Sequence, residues 1–95
     1  DILLEGYSVT NYPNPFNPST NILFSTPEQG DITIIIYDVN GNRVRLLLNE
    51  FKTAGSYKIN WDGKNENGFL ISGGLYICTI TYGDIVQTKK MILLK

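Results

Sequence analysis

Apolar and polar positions alternate with period two along most of this chain. Ile32, Ile34 and Ile36 interleave with Thr33, Ile35 and Tyr37. Successive side chains of a strand point to opposite faces, so this stretch predicts a β-strand. Both faces carry β-branched or aromatic groups, as expected for a strand buried on both sides or at the centre of a sandwich. Asn40-Gly41 follows, the dipeptide suited to positive φ at both central positions of a type I′ turn. Arg43-Val44-Arg45-Leu46-Leu47-Leu48 then alternates charge with apolar groups. Residues 30–38 and 42–48 therefore predict a hairpin. Further on, Tyr57, Ile59 and Trp61 fall on one face, with Lys58, Asn60 and Asp62 on the other, the signature of a half-buried strand.

Turn signals divide the remainder. Ala54-Gly55, the polar run Asp62-Gly63-Lys64-Asn65-Glu66-Asn67-Gly68, Ser72-Gly73-Gly74 and Gly83-Asp84 each interrupt the alternation. No window has a 3.6-residue apolar period. The expected strands cover residues 7–10, 21–25, 32–37, 43–48, 57–61, 75–82 and 85–94. About seven short strands separated by frequent turns predict an all-β fold, an immunoglobulin-like antiparallel β-sandwich.

The run Asn11-Tyr12-Pro13-Asn14-Pro15-Phe16-Asn17-Pro18-Ser19-Thr20 breaks this pattern. It holds three of the chain's 4 prolines. Each proline fixes φ, removes an N–H and pushes its predecessor towards extended geometry, so the run is neither helix nor inner strand. Tyr12 and Phe16 give it apolar side chains to dock. It predicts a stiff, anchored approach to the first long strand.

Composition narrows the chemistry. At 95 residues, with 42% hydrophobic and 18% charged positions, the chain suits one folded domain over 1–95, with 1–6 as a linker from something upstream. It begins at Asp1 and not at methionine, so it is expected to be a piece of a longer polypeptide. A net charge of −1 argues for neither nucleic acid nor an anionic membrane. No apolar run reaches the length of a transmembrane helix. Cys78 is the only cysteine and there is no histidine, so an intrachain disulfide, a zinc site and histidine acid–base chemistry are all excluded. No carboxylate pair is spaced for acid–base work, and Ser8 and Ser72 have no base to activate them. The expectation is a protein that is not an enzyme, without a metal or other cofactor.

In order along the chain, the proline run is followed by Ile34-Ile35-Ile36-Tyr37-Asp38-Val39-Asn40-Gly41, Ala54-Gly55 and Trp61-Asp62-Gly63. Asn67-Gly68, Gly73-Gly74-Leu75-Tyr76 and the closing Lys89-Lys90-Met91-Ile92-Leu93-Leu94-Lys95 come next. From about Tyr7 onward this succession resembles the type A C-terminal sorting domains of proteins exported by the type IX, or Por, secretion system of Bacteroidota. The resemblance implies a non-catalytic address on a larger cargo. The address would be read by the export machinery at the outer membrane of a Gram-negative cell and usually removed by a sortase-like peptidase. It also implies a cargo that is secreted or held at the cell surface. The stretch from Trp61-Asp62-Gly63 through Tyr76 also resembles the Ig-like domain of the flagellar hook-capping protein, which lacks the proline run and the basic terminal strand.

On that resemblance Gly73, Gly74, Tyr76, Lys89, Lys90 and Lys95 are the expected partner-recognition residues. Pro13, Asn14, Pro15, Phe16, Pro18, Trp61, Asp62 and Gly63 are the expected structural motif. The residues also carry plainer readings. Lysines beside an apolar strand keep its edge soluble, although an exposed edge can equally add to a partner's sheet. Gly73 and Gly74 permit a positive-φ bend, and Tyr76 could fold its hydroxyl onto the chain as a tyrosine corner. Cys78 reads as a small buried hydrophobe. Asp62, Asn65 and Asn67 offer oxygens to calcium, but the acidic spacing of a calcium loop is missing and such side chains commonly cap their own turns. An exposed Tyr57/Trp61 row would suit sugar rings, whereas its shared face with Ile59 favours burial. Two alternatives to the sorting role remain: an Ig-like spacer or carbohydrate-binding module on an extracellular enzyme, and weak self-association through the apolar terminal strand.

Overall fold

The computed structural model describes residues 6–94, so Lys95 and residues 1–5 of the expected 1–6 linker lie outside the described residues. Seven strands form in order: β1 (Ser8–Tyr12), β2 (Thr20–Thr26), β3 (Gly30–Asp38), β4 (Arg43–Lys52), β5 (Gly55–Trp61), β6 (Gly74–Tyr82) and β7 (Ile85–Leu93). They build two antiparallel sheets, β1-β2-β5 and β4-β3-β6-β7. The expected all-β sandwich is therefore present, each strand within a few residues of its expected place. Period two could not assign strands to sheets. That division arises where the chain crosses between layers, at Pro27-Glu28-Gln29, at Thr53-Ala54 and along residues 62–73.

The inner faces follow the alternation. Ile22, Phe24 and Trp61 from the three-stranded sheet meet Ile32, Ile34, Ile36, Cys78 and Ile80 from the other, with Met91 and Leu93 beside them. Each of these core side chains is at most 3% exposed, and together they supply most of the burial that drives folding. β3 differs from expectation on its second face. Ile32, Ile34 and Ile36 are buried, but Thr33, Ile35 and Tyr37 are only half-buried, because among the described residues nothing layers over that side of the sheet. Cys78 is a buried free thiol, and loss of water pushes its pKa up to about 12, so it packs as a hydrophobe.

The β3–β4 connection corrects the expected type I′ turn. Gly41 has φ 83°, but no non-glycine residue has positive φ among the described residues, so Asn40 does not adopt the second left-handed position. Gly41 N–H donates to Asp38 O, and Asp38 N–H donates to Asn42 O. This is the three-residue alternative, a tight turn followed by a left-handed glycine. Asp38 explains the choice. Its Oδ1 accepts the N–H groups of Asn40 and Asn42, each at 2.9 Å, stabilising the turn from the side chain. Those bonds, led by the one from Asn42, lower the Asp38 pKa. Gly83, with φ 58°, opens the two-residue β6–β7 hairpin, the position where only glycine is comfortable.

Two expectations follow. Ile36→Ala should cost about 2–5 kcal/mol by opening a cavity between the sheets. Ile35→Thr, on the half-buried face, should cost less than about 1 kcal/mol, and urea unfolding checks both. Burial also raises the pKa of Tyr82 and Tyr76. The folded state therefore holds those phenolic protons longer than the unfolded chain does. The resulting stability is complete below the ordinary tyrosine range and is lost as pH rises through the raised values. Urea midpoints should fall above about pH 10, and Tyr82→Phe should flatten that fall.

Candidate protein-interaction site

The sandwich measures 37 × 22 × 22 Å, and its two poles differ. One pole gathers the proline run, the β3–β4 turn, the 62–73 loop, the start of β6 and the end of β7. Most of the expected motif residues meet there.

The proline run leaves β1 in one sheet and crosses to the edge of the other. Its Tyr12-Pro13, Asn14-Pro15 and Asn17-Pro18 peptides are cis. Phe16 pairs in parallel with Leu93. Its N–H donates to Ile92 O at 2.9 Å and its O accepts Leu94 N–H at 2.8 Å. One turn earlier, the Asn14 side chain copies a peptide group. Its Nδ2 donates to Lys90 O at 3.1 Å and its Oδ1 accepts Ile92 N–H at 3.0 Å. Four otherwise open backbone groups of the last strand are thereby satisfied. The Phe16 ring turns inward, 1% exposed, against Trp61 at 5.5 Å. Tyr12, the other expected anchor, is 74% exposed, because as the last residue of β1 it points away from the core. Pro13, Pro15 and Pro18 lie on the surface and shape the crossing.

Trp61-Asp62-Gly63 closes the same pole from β5. Trp61 Nε1–H donates to Lys64 O at 3.0 Å, which satisfies the indole of a fully buried ring. Gly63 sits at φ 77° against the Pro18 carbonyl, and a Cβ there would lie 2.4 Å from that oxygen. Only glycine fits. Asp62 Oδ1 accepts the Lys64 N–H and pairs with Arg45 at 3.2 Å. Asn65 Oδ1 accepts the N–H groups of Asn67 and Phe69. The loop's oxygens are engaged in holding its own turns, and no cluster able to hold a metal ion is present among the described residues. Glu66 covers the β4 edge as Asn14 covers β7. Its N–H donates to Val44 O, and its Oε1 accepts Leu46 N–H.

The expected recognition residues separate on inspection. Tyr76 is buried, edge-on to Trp61, and its hydroxyl donates to Ser72 O at 2.6 Å, the tyrosine-corner bond. It shapes the pole from within. Gly74 takes φ 150°, while Gly73 is not among the positive-φ glycines, so the bend belongs to Gly74 alone. Lys89 is half-buried on the inward side of β7 with Met91 and Leu93, whereas Lys90 is exposed on the outward side with Ile92. The idea of β7 adding freely to a partner's sheet needs correction at this end. Asn14 and Phe16 already occupy its edge from Lys90 to Leu94. Reading residues singly missed Asn14 and Glu66 as strand mimics, because neither lies in an alternating segment. The sugar-binding row is also absent: Trp61 is fully buried, and Tyr57 stacks on Phe24 at 5.5 Å.

The opposite pole carries a cleft of about 310 Å³ between Tyr7, Glu28, Asp31, Tyr82 and Asp84. Tyr7 donates to Glu28 at 3.3 Å. Among the described residues its charged lining is acidic: Glu28, Asp31 and Asp84.

This arrangement, two antiparallel sheets closed by a tyrosine corner, defines an Ig-like domain. The chain belongs to the FlgD Ig-like domain family, which it matches over residues 16–84. The match is wider than the stretch from Trp61 to Tyr76 expected from sequence, because the shared features are those of the whole strand framework. No curated protein matches the chain. Among solved structures it is similar to dimeric latent PorU from Porphyromonas gingivalis, with TM-score 0.71 and 25% identity over 93% of this chain and 9% of PorU. It also resembles PorZ of the same organism, an essential bacterial surface component of the type-IX secretion system, with TM-score 0.61 and 19% identity over 93% of this chain and 12% of PorZ. FlgD from P. aeruginosa shares the fold, with TM-score 0.61 and 22% identity over 78% of this chain and 58% of FlgD. The chain thus spans about a tenth of the first two proteins.

The Asn14 clasp makes a simple prediction. Asn14→Ala should destabilise the domain by about 0.5–1.5 kcal/mol, through loss of two partly exposed hydrogen bonds. Asn17→Ala, in the same run but making no side-chain bond among the described residues, should stay within about 0.5 kcal/mol in the same urea titration.

Proposed function

We propose that this domain is a C-terminal sorting label of the type IX secretion system. In this reading it is a non-catalytic module that directs an upstream cargo in the same chain across the outer membrane, to be removed by a sortase-like peptidase. The cargo is then secreted or held at the cell surface. The observation that carries the reading is the likeness to PorU, which spans 93% of this chain yet only 9% of that protein, as expected of a small module on a much larger one. The geometry agrees: the proline run is built onto the terminal strand, so the two most distinctive segments of the resemblance form one surface. A second reading, an Ig-like spacer or binding module, is favoured by one fact. The family match ends at residue 84, before β7, as it would if the last strand had no special part.

A periplasmic reporter joined upstream of this domain separates the two. In a bacterium with the type IX machinery, the sorting reading expects the reporter in the medium or on the cell surface, and in the periplasm when the machinery is disabled. Periplasmic retention in both strains would favour the spacer.

A further inference from the structure

Among the described residues the outward face of the four-stranded sheet is left without a covering layer, and towards β7 it is unusually apolar. One row crosses all four strands there. Arg43 lies opposite Tyr37, Tyr37 opposite Ile77, and Ile77 opposite Lys90. Ile35 and Leu46 pair on one side of that row, and Leu75 and Ile92 on the other. Leu75 is 39% and Ile92 44% exposed, while Tyr37 and Ile77 are half-buried. These neighbouring positions form a largely apolar strip, unlike the polar outer face usual for an antiparallel sheet with one side in water.

Charge selects what would cover it. Arg43 and Lys90 are exposed and stand at opposite ends of the row, about 14 Å apart at three strand spacings. Neither is in a salt bridge among the described residues. Asp38 and Glu66, at the same pole, direct their carboxylates onto backbone N–H groups. On β3 the next outward carboxylate is Asp31, roughly 20 Å along the strand. A second copy docked face to face about a two-fold axis through this row would set the cations against each other, which opposes that pairing. Two cations on a chain of net charge −1 give weak attraction to an anionic bilayer.

We propose that this face is a docking surface for a protein partner, an apolar patch flanked by carboxylates about one sheet-width apart. Resting on the sorting reading, that partner is a component of the export machinery. Lys90 then acts through its side chain on the outer face, together with Arg43, a residue on β4 that the terminal motif does not contain. Lys89 faces inward and takes no part in this contact.

The test uses the reporter fusion in a host with the type IX machinery. A benzophenone amino acid replaces Tyr37 or Ile92, or, as a control, Leu23 on the outer face of the other sheet. Irradiation should give adducts with a different protein from positions 37 and 92 and none from 23. Arg43→Glu with Lys90→Glu should abolish those adducts and lower reporter export at least about tenfold, whereas Lys58→Glu on β5 should leave both unchanged. Thermal melting checks the fold, and if the double variant fails to fold, the adduct pattern alone decides. Normal export of a folded double variant overturns the docking face while the sorting reading stands. Failure of the unaltered fusion to leave the periplasm removes the sorting reading and this inference with it. Adducts solely between copies of the chain, or flotation of the purified domain with phosphatidylglycerol vesicles that the double variant loses, also overturn it.

Discussion

The structure turns on the hydrogen bonds that Asn14 and Phe16 make to the edge of β7. A sandwich of two open sheets has exposed edges, and an unpaired edge is both a loss of backbone satisfaction and a template for association. Here β7 forms one edge of the four-stranded sheet. The proline run meets both difficulties of an open edge with few residues. Its Phe16 peptide supplies one parallel pairing, its Asn14 amide supplies a second pair of bonds without using backbone, and its Phe16 ring anchors the crossing in the core beside Trp61. Glu66 performs a similar service for β4 with one backbone and one side-chain group. The four-stranded sheet is thus covered at both edges at one pole.

That pole is also where the chain's tightest fits occur. Gly63 against Pro18, Trp61 against Phe16 and Tyr76, and the Tyr76 hydroxyl on Ser72 interlock loops from distant parts of the sequence. A surface assembled in this way exists only when the whole domain is folded. A label read from such a surface would be absent from an unfolded cargo tail. This links the packing of the core to the proposed use of the domain: the address and the fold are the same object.

Much of this was legible from the sequence, for definite reasons. Strand existence follows from alternation, and Ile32, Ile34 and Ile36 or Tyr57, Ile59 and Trp61 leave little freedom in which face turns inward. The tyrosine corner at Tyr76 followed from a glycine bend just before an aromatic strand start. What was not legible depends on contacts between distant segments. Nothing local distinguishes Asn14, which clasps β7, from Asn17, three residues later. The turn at Asn40-Gly41 took the three-residue form because Asp38 captures two N–H groups, a competition that the dipeptide alone does not reveal. Lys89 and Lys90 look equivalent in sequence, yet strand parity puts one against the core and the other in solvent. Tyr12 and Phe16 likewise look like matched anchors, and only Phe16 lies where the run meets the second sheet.

Native-state hydrogen exchange on the intact domain tests the clasp most directly. The amides of Ile92, Leu94 and Thr88 point to the same open side of β7, but only the first two have partners there among the described residues. Ile92 and Leu94 should exchange slowly, close to the rates of core strand amides, while Thr88 exchanges orders of magnitude faster. Equal and rapid exchange at all three would mean that the proline run does not hold the terminal strand, and the account of this pole would fail.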